Sequence, residues 1–432
     1  VEITGVSTTG SFFNAIGLAE EGAGGYLGSD AKGWGYHQDG RKIAGGGAST
    51  YGATYTQGDV IGVAFDADNG TLTFYKNGSS QGTAYTGLTS GPYFFACGSS
   101  QTKNALNAGQ RAFAYTAPSG YKTLCTTNLP TPTIADGSDY FEAKTYTGNG
   151  STQSITGLEF SPDLVWTKKR NATQSHHLTD TVRGALKNLR SNTAGAETTD
   201  ANTITSFNSD GFTLGSESAF NGNNDTFIAW AWGNGSTFTP TVSGFTSPSG
   251  RRNTTAGFSI VKVTGNNTVS SFDHGLGIAP ALIISKNLDN SYDWGVYHEA
   301  VEAAPTKKFL NLNDNGAVAS KSGNIYRVVS SSSVEVDSYA ETGSTGDYVY
   351  YCFAPVAGYS AFGSYEGTGS ATDSPFIFTG MRPAFVLVKN IDATDDWCIA
   401  DTTRSSHNVQ DETLFPNTSG GEDTGAFYID IL

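Results

Sequence analysis

Residues 60–78 read VIGVAFDADNGTLTFYKNG. Val60 to Phe65 is an apolar run, Asp66-Ala67-Asp68-Asn69-Gly70 is a cluster of turn formers, Thr71 to Tyr75 alternates polar and apolar residues, and Asn77-Gly78 supplies a second turn. Two β-prone runs joined by a glycine-containing turn predict a hairpin. Downstream, Tyr93 to Cys97 (YFFAC) is a further apolar run of the kind a sandwich interior takes. The same punctuation recurs along the chain. Glycine supplies 54 of 432 positions and charged residues only 15%, a balance that suits neither a long-helix protein nor a disordered one. The fold class expected is all-β, a string of β-sandwich domains, and at roughly 150 residues per domain the length leaves room for about three or four cores.

Charge narrows the partners. The 25 Lys and Arg against 40 Asp and Glu give a formal charge of −15, which repels phosphate backbones, so no nucleic acid is expected as a partner. No stretch approaches the roughly 20 apolar residues of a membrane helix, so no membrane is expected either. The four cysteines, Cys97, Cys125, Cys352 and Cys398, lie far apart without CxxC spacing and are expected to be mostly buried, free thiols.

Gly33-Trp34-Gly35-Tyr36, Tyr51-Gly52, Gly58-Asp59-Val60-Ile61-Gly62-Val63 with Phe65-Asp66, Leu72-Thr73-Phe74-Tyr75-Lys76-Asn77-Gly78 and the Tyr93 to Cys97 run follow one another in an order that resembles a SPRY domain. The resemblance implies a jelly-roll sandwich over residues 1–106. Val1-Glu2-Ile3-Thr4 is similar to the middle of that family's early strand, and Met381 is the sole methionine, so the expectation is an N-terminally incomplete domain in a processed or longer protein.

Residues 107–139 carry Pro118, Pro130 and Pro132 and read as a connection, but Phe113, Tyr115, Tyr121, Leu124, Leu129 and Ile134 punctuate it, so an ordered segment lying along its neighbours is expected. The rest of the chain repeats. Aligning Pro162, Pro280 and Pro383 brings Lys168, Lys286 and Lys389 together and, eight residues further, His176, Trp294 and Trp397, without a gap. The same register sets Asp180-Thr181-Val182-Arg183 on Asp401-Thr402-Thr403-Arg404, whereas the second copy has His298 and no arginine three residues on. Copy one ends in Phe227 to Trp232 and copy two in Tyr348 to Phe353, both reading as buried strands; copy three has no counterpart and reads as C-terminally incomplete. The repeats are placed at 140–235, 257–355 and 357–432, with a polar linker at 236–256, and at near a hundred residues each is long enough to bury its own core. The one helix expected is Thr181 to Leu189, with Asp180 as its N-cap.

Candidate chemistry is sparse. Asp180 with Arg183, and Asp401 with Arg404, read as a local cap and ion pair, and Asn192 with Glu197, repeated as Asn417 with Glu422, as turn chemistry. The adjacent His176 and His177 point to opposite faces of a strand and cannot share a metal without distortion, and Trp294 and Trp397 at the position of His176 favour packing. The acidic groups Asp66 and Asp68, Asp289 and Asp293, and Asp392, Asp395 and Asp396 sit in loops without the full ligand pattern of a calcium site. No GxSxG elbow and no P-loop is present. No catalytic residue, metal ligand or cofactor is expected. Tyr36, His37, Tyr51 and Tyr55 lie in glycine-rich sequence and are the candidate receptor contacts, with Trp34 the ring expected to be buried.

The SPRY-like part, the Gly109-Gln110-Arg111 connection and the repeats with Asp180-Thr181-Val182-Arg183-Gly184-Ala185 and Leu414-Phe415-Pro416-Asn417-Thr418 together resemble tandem domains of tailed-phage virion structural proteins, tail-fibre-like ones above all. That resemblance implies a non-enzymatic virion-surface protein made in the host cytoplasm, a homo-oligomer and by analogy a trimer, whose partners are other virion proteins and a host-surface protein or glycan. A bacterial surface adhesin or a glycan depolymerase of a phage tail are the alternatives.

Overall fold

The hairpin at the centre of the reading forms in register, from Ile61 opposite Lys76 to Asp66 opposite Thr71. Asp66 holds its turn by accepting hydrogen bonds from the Asn69 backbone N–H at 3.0 Å and the Asn69 amide at 2.7 Å. Asn77 at φ 47° and Gly78 at φ 80° then make the next reversal, two left-handed residues whose twist matches that of a hairpin. The computed structural model describes residues 1–20, 22–89, 93–124, 128, 132–301, 308–320, 325–369 and 375–431, so Cys125 lies outside the described residues. The chain is all-β; among the described residues the α-helix is a single turn, Ser218–Asn221. It divides into two compact units, Val1–Thr131 and Pro132–Leu432.

In the first unit the long strand Glu2–Glu20 organises the sheet. It pairs with Val60–Asp66 through Glu2 to Thr4, with Gly33–His37 through Ala15 to Ala19, and with Tyr93–Asn107 along most of its length. Ile3, Ile16, Leu18, Ile61, Val63, Leu72 and Phe74 are buried from these strands, the two-residue alternation in Val60–Asp66 and Thr71–Lys76 turning one face inward. The beginning of the connection belongs to this unit: the Glu2 carboxylate accepts the Ala114 and Tyr115 backbone N–H groups at 2.8 and 2.9 Å. Its end belongs to the other, where Ile134 is buried with Ala256 and Val356.

In the second unit the three prolines begin equivalent ladders. The lead strands Pro162–Lys169, Leu282–Asn287 and Phe385–Val388 pair antiparallel with the return strands His177–Asp180, Gly295–His298 and Cys398–Asp401, with Leu164 opposite Asp180, Leu282 opposite His298 and Phe385 opposite Asp401. A side-chain amide then pins each ladder. Asn192, Asn313 and Asn417 accept the backbone N–H of His176, Trp294 and Trp397 at 3.2, 2.8 and 3.0 Å.

Alternation along the lead strands splits the interior into layers. Val165 faces copy one's own second layer, with Ile155, Phe212 and Phe220, and Ile283 faces copy two's, with Phe272 and Tyr350. The opposite faces, Leu164 and Trp166 and also Ile284, enter a common cluster with Trp230, Trp294, Tyr351, Trp397, Ile399 and Leu414. Each copy thus contributes one face to a core shared by all three. The backbone closes the cycle: Glu197 N–H bonds Leu288 C=O at 2.8 Å, Val318 N–H bonds Ile391 C=O at 3.0 Å, and Glu422 N–H bonds Arg170 C=O at 2.7 Å. These donors and acceptors occupy equivalent positions, so the copies join head to tail, one to two, two to three and three to one.

Several expectations are corrected. Thr181 to Leu189 is not a helix; Gly184 at φ 101° and Leu186 at φ 72° break it, and its end forms the strand Lys187–Arg190, with Leu189 opposite Leu178. The segment 236–256 is not a linker, because Ser236–Phe238, Val242–Ser243 and Thr246–Asn253 are strands of copy two's sheets. Ser236–Phe238 and Val242–Ser243 lie at sheet edges, whereas Thr246–Asn253 is paired on both sides. Cys352 is buried and Cys398 partly so, but Cys97 is exposed, since the Tyr93–Asn107 strand is only half covered there and Phe94 is exposed too; all three are free thiols.

Candidate functional site

Of the four rings expected to meet a receptor, Tyr36, His37 and Tyr55 are buried and Tyr51 is half-buried. Tyr36 is fully buried among Tyr51, Tyr55 and Phe74, and its hydroxyl donates to Ala53 C=O. Tyr55 is 2% exposed and its hydroxyl lies 2.8 Å from Tyr36 C=O and 3.1 Å from Asn14 C=O. His37 is buried, its Nδ1 2.8 Å from Asp39. Tyr51 is half-buried; its hydroxyl accepts the Phe74 N–H at 3.2 Å and donates to Gly82 C=O. Burial pushes the Tyr36 phenol up to about 12. Glycines mark close packing here rather than exposed loops. A Cβ on Gly17 would stand 1.9 Å from Trp34 C=O, so Gly33–His37 lies hard against its neighbour and turns Tyr36 inward. Trp34, the ring expected to be buried, is only half-buried, edge-on to Tyr93.

The accessible aromatic surface of this unit lies elsewhere. A cleft of about 490 Å³ opens beside the hairpin, with Phe65, Tyr75, Tyr93 and Phe95 on the sheet side and Phe113, Tyr115 and Tyr121 on the connection side. Phe94 and Leu124 on its rim are 52% and 64% exposed. Glu2 fixes the far wall through its two bonds to the Ala114–Tyr115 backbone, so the cleft is preformed. Rigid rings with polar tips suit the binding of a polypeptide. The signal was present in the sequence as the apolar punctuation of the connection.

The repeated polar residues of the second unit are spent on its construction. Asp180 accepts the Val182 and Arg183 N–H groups, the Arg183 guanidinium meets Asp180 at 2.5 Å and Glu197 at 3.0 Å, and it donates to Leu178 C=O at 2.9 Å. Asp401, Arg404, Glu422 and Ile399 C=O repeat this arrangement at 2.5, 3.0 and 3.0 Å. Glu197 and Glu422 are therefore ion-pair partners rather than turn residues. Lys168 and Lys286 are brought down to about 8 by burial, a value that would suit a nucleophile, but Lys286 Nζ donates to the carbonyls of Ala194, Asn287, Asn290 and Tyr292, and Lys168 Nζ to that of Lys169. Among the described residues no three His, Cys, Asp or Glu side chains converge on a point where a metal could sit. No helix among them is long and apolar enough to cross a membrane.

His176 stacks on Trp230 with an interplanar angle of 8° and accepts from the Trp166 indole at 3.2 Å, while His177 packs on Phe220. Burial holds both neutral, His177 down to about 3. The unfolded chain takes up these protons near pH 6.5 and the folded one does not, so their contribution to stability is full above that pH and is lost on acidification. Between pH 7 and 5 His177 alone is expected to cost about 2 kcal/mol. Urea unfolding of His177→Gln at the two pH values should show a drop smaller by that amount than the parent's; an equal drop refutes the assignment.

Comparison with known families assigns both units. Residues 136–432, over half of the chain, match the family described as "Domain of unknown function (DUF7483)". The chain belongs to that family. Its match spans all three copies as one domain, as their shared core requires. Residues 3–111 match the SPRY domain. Ran-binding protein 10 of Danio rerio is 34% identical over 121 residues, 26% of this chain and 20% of the relative, and SPRY domain-containing SOCS box protein 3 of Xenopus tropicalis is 36% identical over 80 residues, 18% and 22% respectively. The chain thus spans about a fifth of each relative. SPRY domains in general mediate protein–protein interaction, so protein partners are what this unit is suited to.

Proposed function

We propose that the chain is a non-enzymatic binding protein of a virion surface, tail-fibre-like, whose SPRY unit takes a host-surface protein through the aromatic cleft and whose three-copy unit is architectural. The preformed cleft carries this reading, since it offers exposed apolar surface on a domain type that binds proteins. The architectural role is supported by the buried ion pairs and shared core, which use the repeated polar residues internally. The virion setting is supported by the likeness of the connection and repeats to tailed-phage structural proteins.

Phe94→Ser with Leu124→Ser changes two exposed rim residues and should leave the melting temperature unchanged while weakening attachment to host cells by at least about tenfold. Particles carrying the variant should still contain the chain, as read by mass spectrometry of purified virions. Normal attachment by the variant sinks the cleft; absence of the chain from purified particles sinks the virion setting.

A further inference from the structure

The three junctions of the ring are built alike, with one exception. A ring at the start of each return strand reaches into the preceding copy, towards the carbonyl two residues before that copy's ladder-pinning asparagine. Trp294 Nε1 donates to Arg190 C=O at 3.0 Å and to Thr193 C=O at 3.2 Å, and Trp397 Nε1 donates to Asn311 C=O at 2.9 Å. Where copy three meets copy one the ring is His176, whose Nε2 is turned towards the equivalent carbonyl, Phe415 C=O, without completing the bond. That junction is held instead by Ser191 Oγ donating to Pro416 C=O at 2.7 Å and by the Arg170 pair with Glu422 at 2.7 Å.

Trp166 fixes the tautomer of His176. An indole nitrogen only donates, so its 3.2 Å bond to His176 Nδ1 requires that nitrogen to be bare and the ring's single proton to sit on Nε2. Protonation places a second N–H on Nδ1, directly against the Trp166 N–H. The charged groups around the ring oppose the added charge. His176 is fully buried and stacked on Trp230, with Lys168 of the lead strand, the adjacent His177 and Arg404 of copy three as its cationic or cation-forming neighbours, and Arg190 lies opposite His177 in the ladder. The carboxylates of the junction are committed elsewhere: Asp401 to Arg404 and the Trp230 indole, Glu422 to Arg404 and Arg170, and Glu412 to Arg170 at 3.5 Å. Neutral His176 fits the closed junction and the imidazolium does not.

We propose that this junction is an acid-operated latch: protonation of His176 parts copy three from copy one, while the two tryptophan junctions stay closed. A released imidazole takes up its proton near pH 6.5, and burial holds the closed one well below that value. Closure is therefore complete above pH 6.5 and weakens as the pH falls through it, by about thirtyfold in the opening equilibrium between pH 7.5 and 5.0. Opening separates Trp230 from Phe385, 5.8 Å apart between centroids, and so uncovers one face of the shared core. The latch lies in the three-copy unit and stands or falls apart from the SPRY cleft.

Backbone amides that bridge the copies report each junction separately. Glu422 N–H to Arg170 C=O and Gln174 N–H to Ser419 C=O span three to one, Glu197 N–H to Leu288 C=O spans one to two, and Val318 N–H to Ile391 C=O spans two to three. Hydrogen exchange of the intact chain is measured at pH 7.5 and 5.0, and protection at Glu422 and Gln174 is divided by that at Glu197 and Val318, which cancels the chemical pH dependence of exchange. The ratio is expected to fall about thirtyfold on acidification. His176→Gln, whose amide can accept from Trp166 and donate towards Phe415 at either pH, should hold the ratio constant, and His176→Trp, the ring of the other two junctions, serves the same purpose if the glutamine variant does not fold. His177→Gln should leave the fall intact. An unchanged ratio in the parent overturns the proposal, as does equal loss at all three junctions, which is acid unfolding of the whole unit. A fall that persists without His176 assigns the effect to protonation of Glu412 or Glu422, and the histidine latch is refuted.

Discussion

Trp230→Ala is expected to cost the Pro132–Leu432 unit about 4 kcal/mol, within the range for deleting a large buried aromatic ring, and to shift the unfolding of all three copies together. The ring belongs to copy one but works between copies. It is fully buried, stacks on His176, meets Trp166 edge-on, touches Phe385 at 5.8 Å between centroids and donates to Asp401. Copies that each relied on their own core would confine the loss to residues 140–235. The shared core predicts otherwise, because removing Trp230 opens a cavity bordered by two copies and leaves Asp401 short of a donor in a third of the ring. Hydrogen exchange read separately over the return strands His177–Asp180, Gly295–His298 and Cys398–Asp401 distinguishes the cases. Destabilisation of His177–Asp180 alone, with the other two protected as in the parent, refutes the cooperative ring.

The repeat register was legible because it is a one-dimensional property: equal spacing from Pro162, Pro280 and Pro383 to Lys168, Lys286 and Lys389 survives as equal pairing in space. Ring closure was not, since copies of a hundred residues have the same internal spacing whether strung out or closed on one another. One sign of it was in the text. Thr226–Gly233 is apolar on both faces, and an antiparallel strand with one face in water should alternate. The Thr181 to Leu189 misreading has a different cause, since helical spacing of Val182, Ala185 and Leu189 coincides with two strand ends separated by a left-handed turn at Gly184 and Leu186. The SPRY unit was recognisable from its ordered motifs, but the side of Gly33–His37 on which Tyr36 and His37 lie depends on strand partners in the distant segment Ala15 to Ala19, Ile16 opposite Tyr36 and Ala15 opposite His37, that local glycine content does not reveal. Phe113, Tyr115 and Tyr121 line a cleft that also borders the sheet, and that they border an open cleft rather than seal a core is a matter of volume, which sequence spacing does not carry.

Arg404→Ala is expected to cost about 3–5 kcal/mol, the range for breaking a buried pair by removing one partner. Asp401 and Arg404 have fully buried side chains, so the mutation leaves a carboxylate without its guanidinium and without water, and Ile399 C=O keeps only the Leu414 N–H at 3.2 Å. Glu422 remains paired with Arg170 at 2.7 Å, which limits the loss at the outer end of the network. Copy two supplies a natural control. It holds the same ladder with His298 in place of the aspartate and with Val301, buried in the shared core, three residues on where the arginine would be. An ion pair is therefore one of two solutions to the same packing problem, and a desolvated pair is often no more stabilising than an apolar replacement of similar shape. The double variant Asp401→His with Arg404→Val, which writes copy two's solution into copy three, should accordingly be more stable than Arg404→Ala by about 2 kcal/mol in urea unfolding, although it changes more atoms. A double variant no better than the single one would mean that copy three needs the charge pair itself, which its bonds to Trp230 and Glu422 would then have to explain, rather than merely a filled and satisfied position at the junction of two copies.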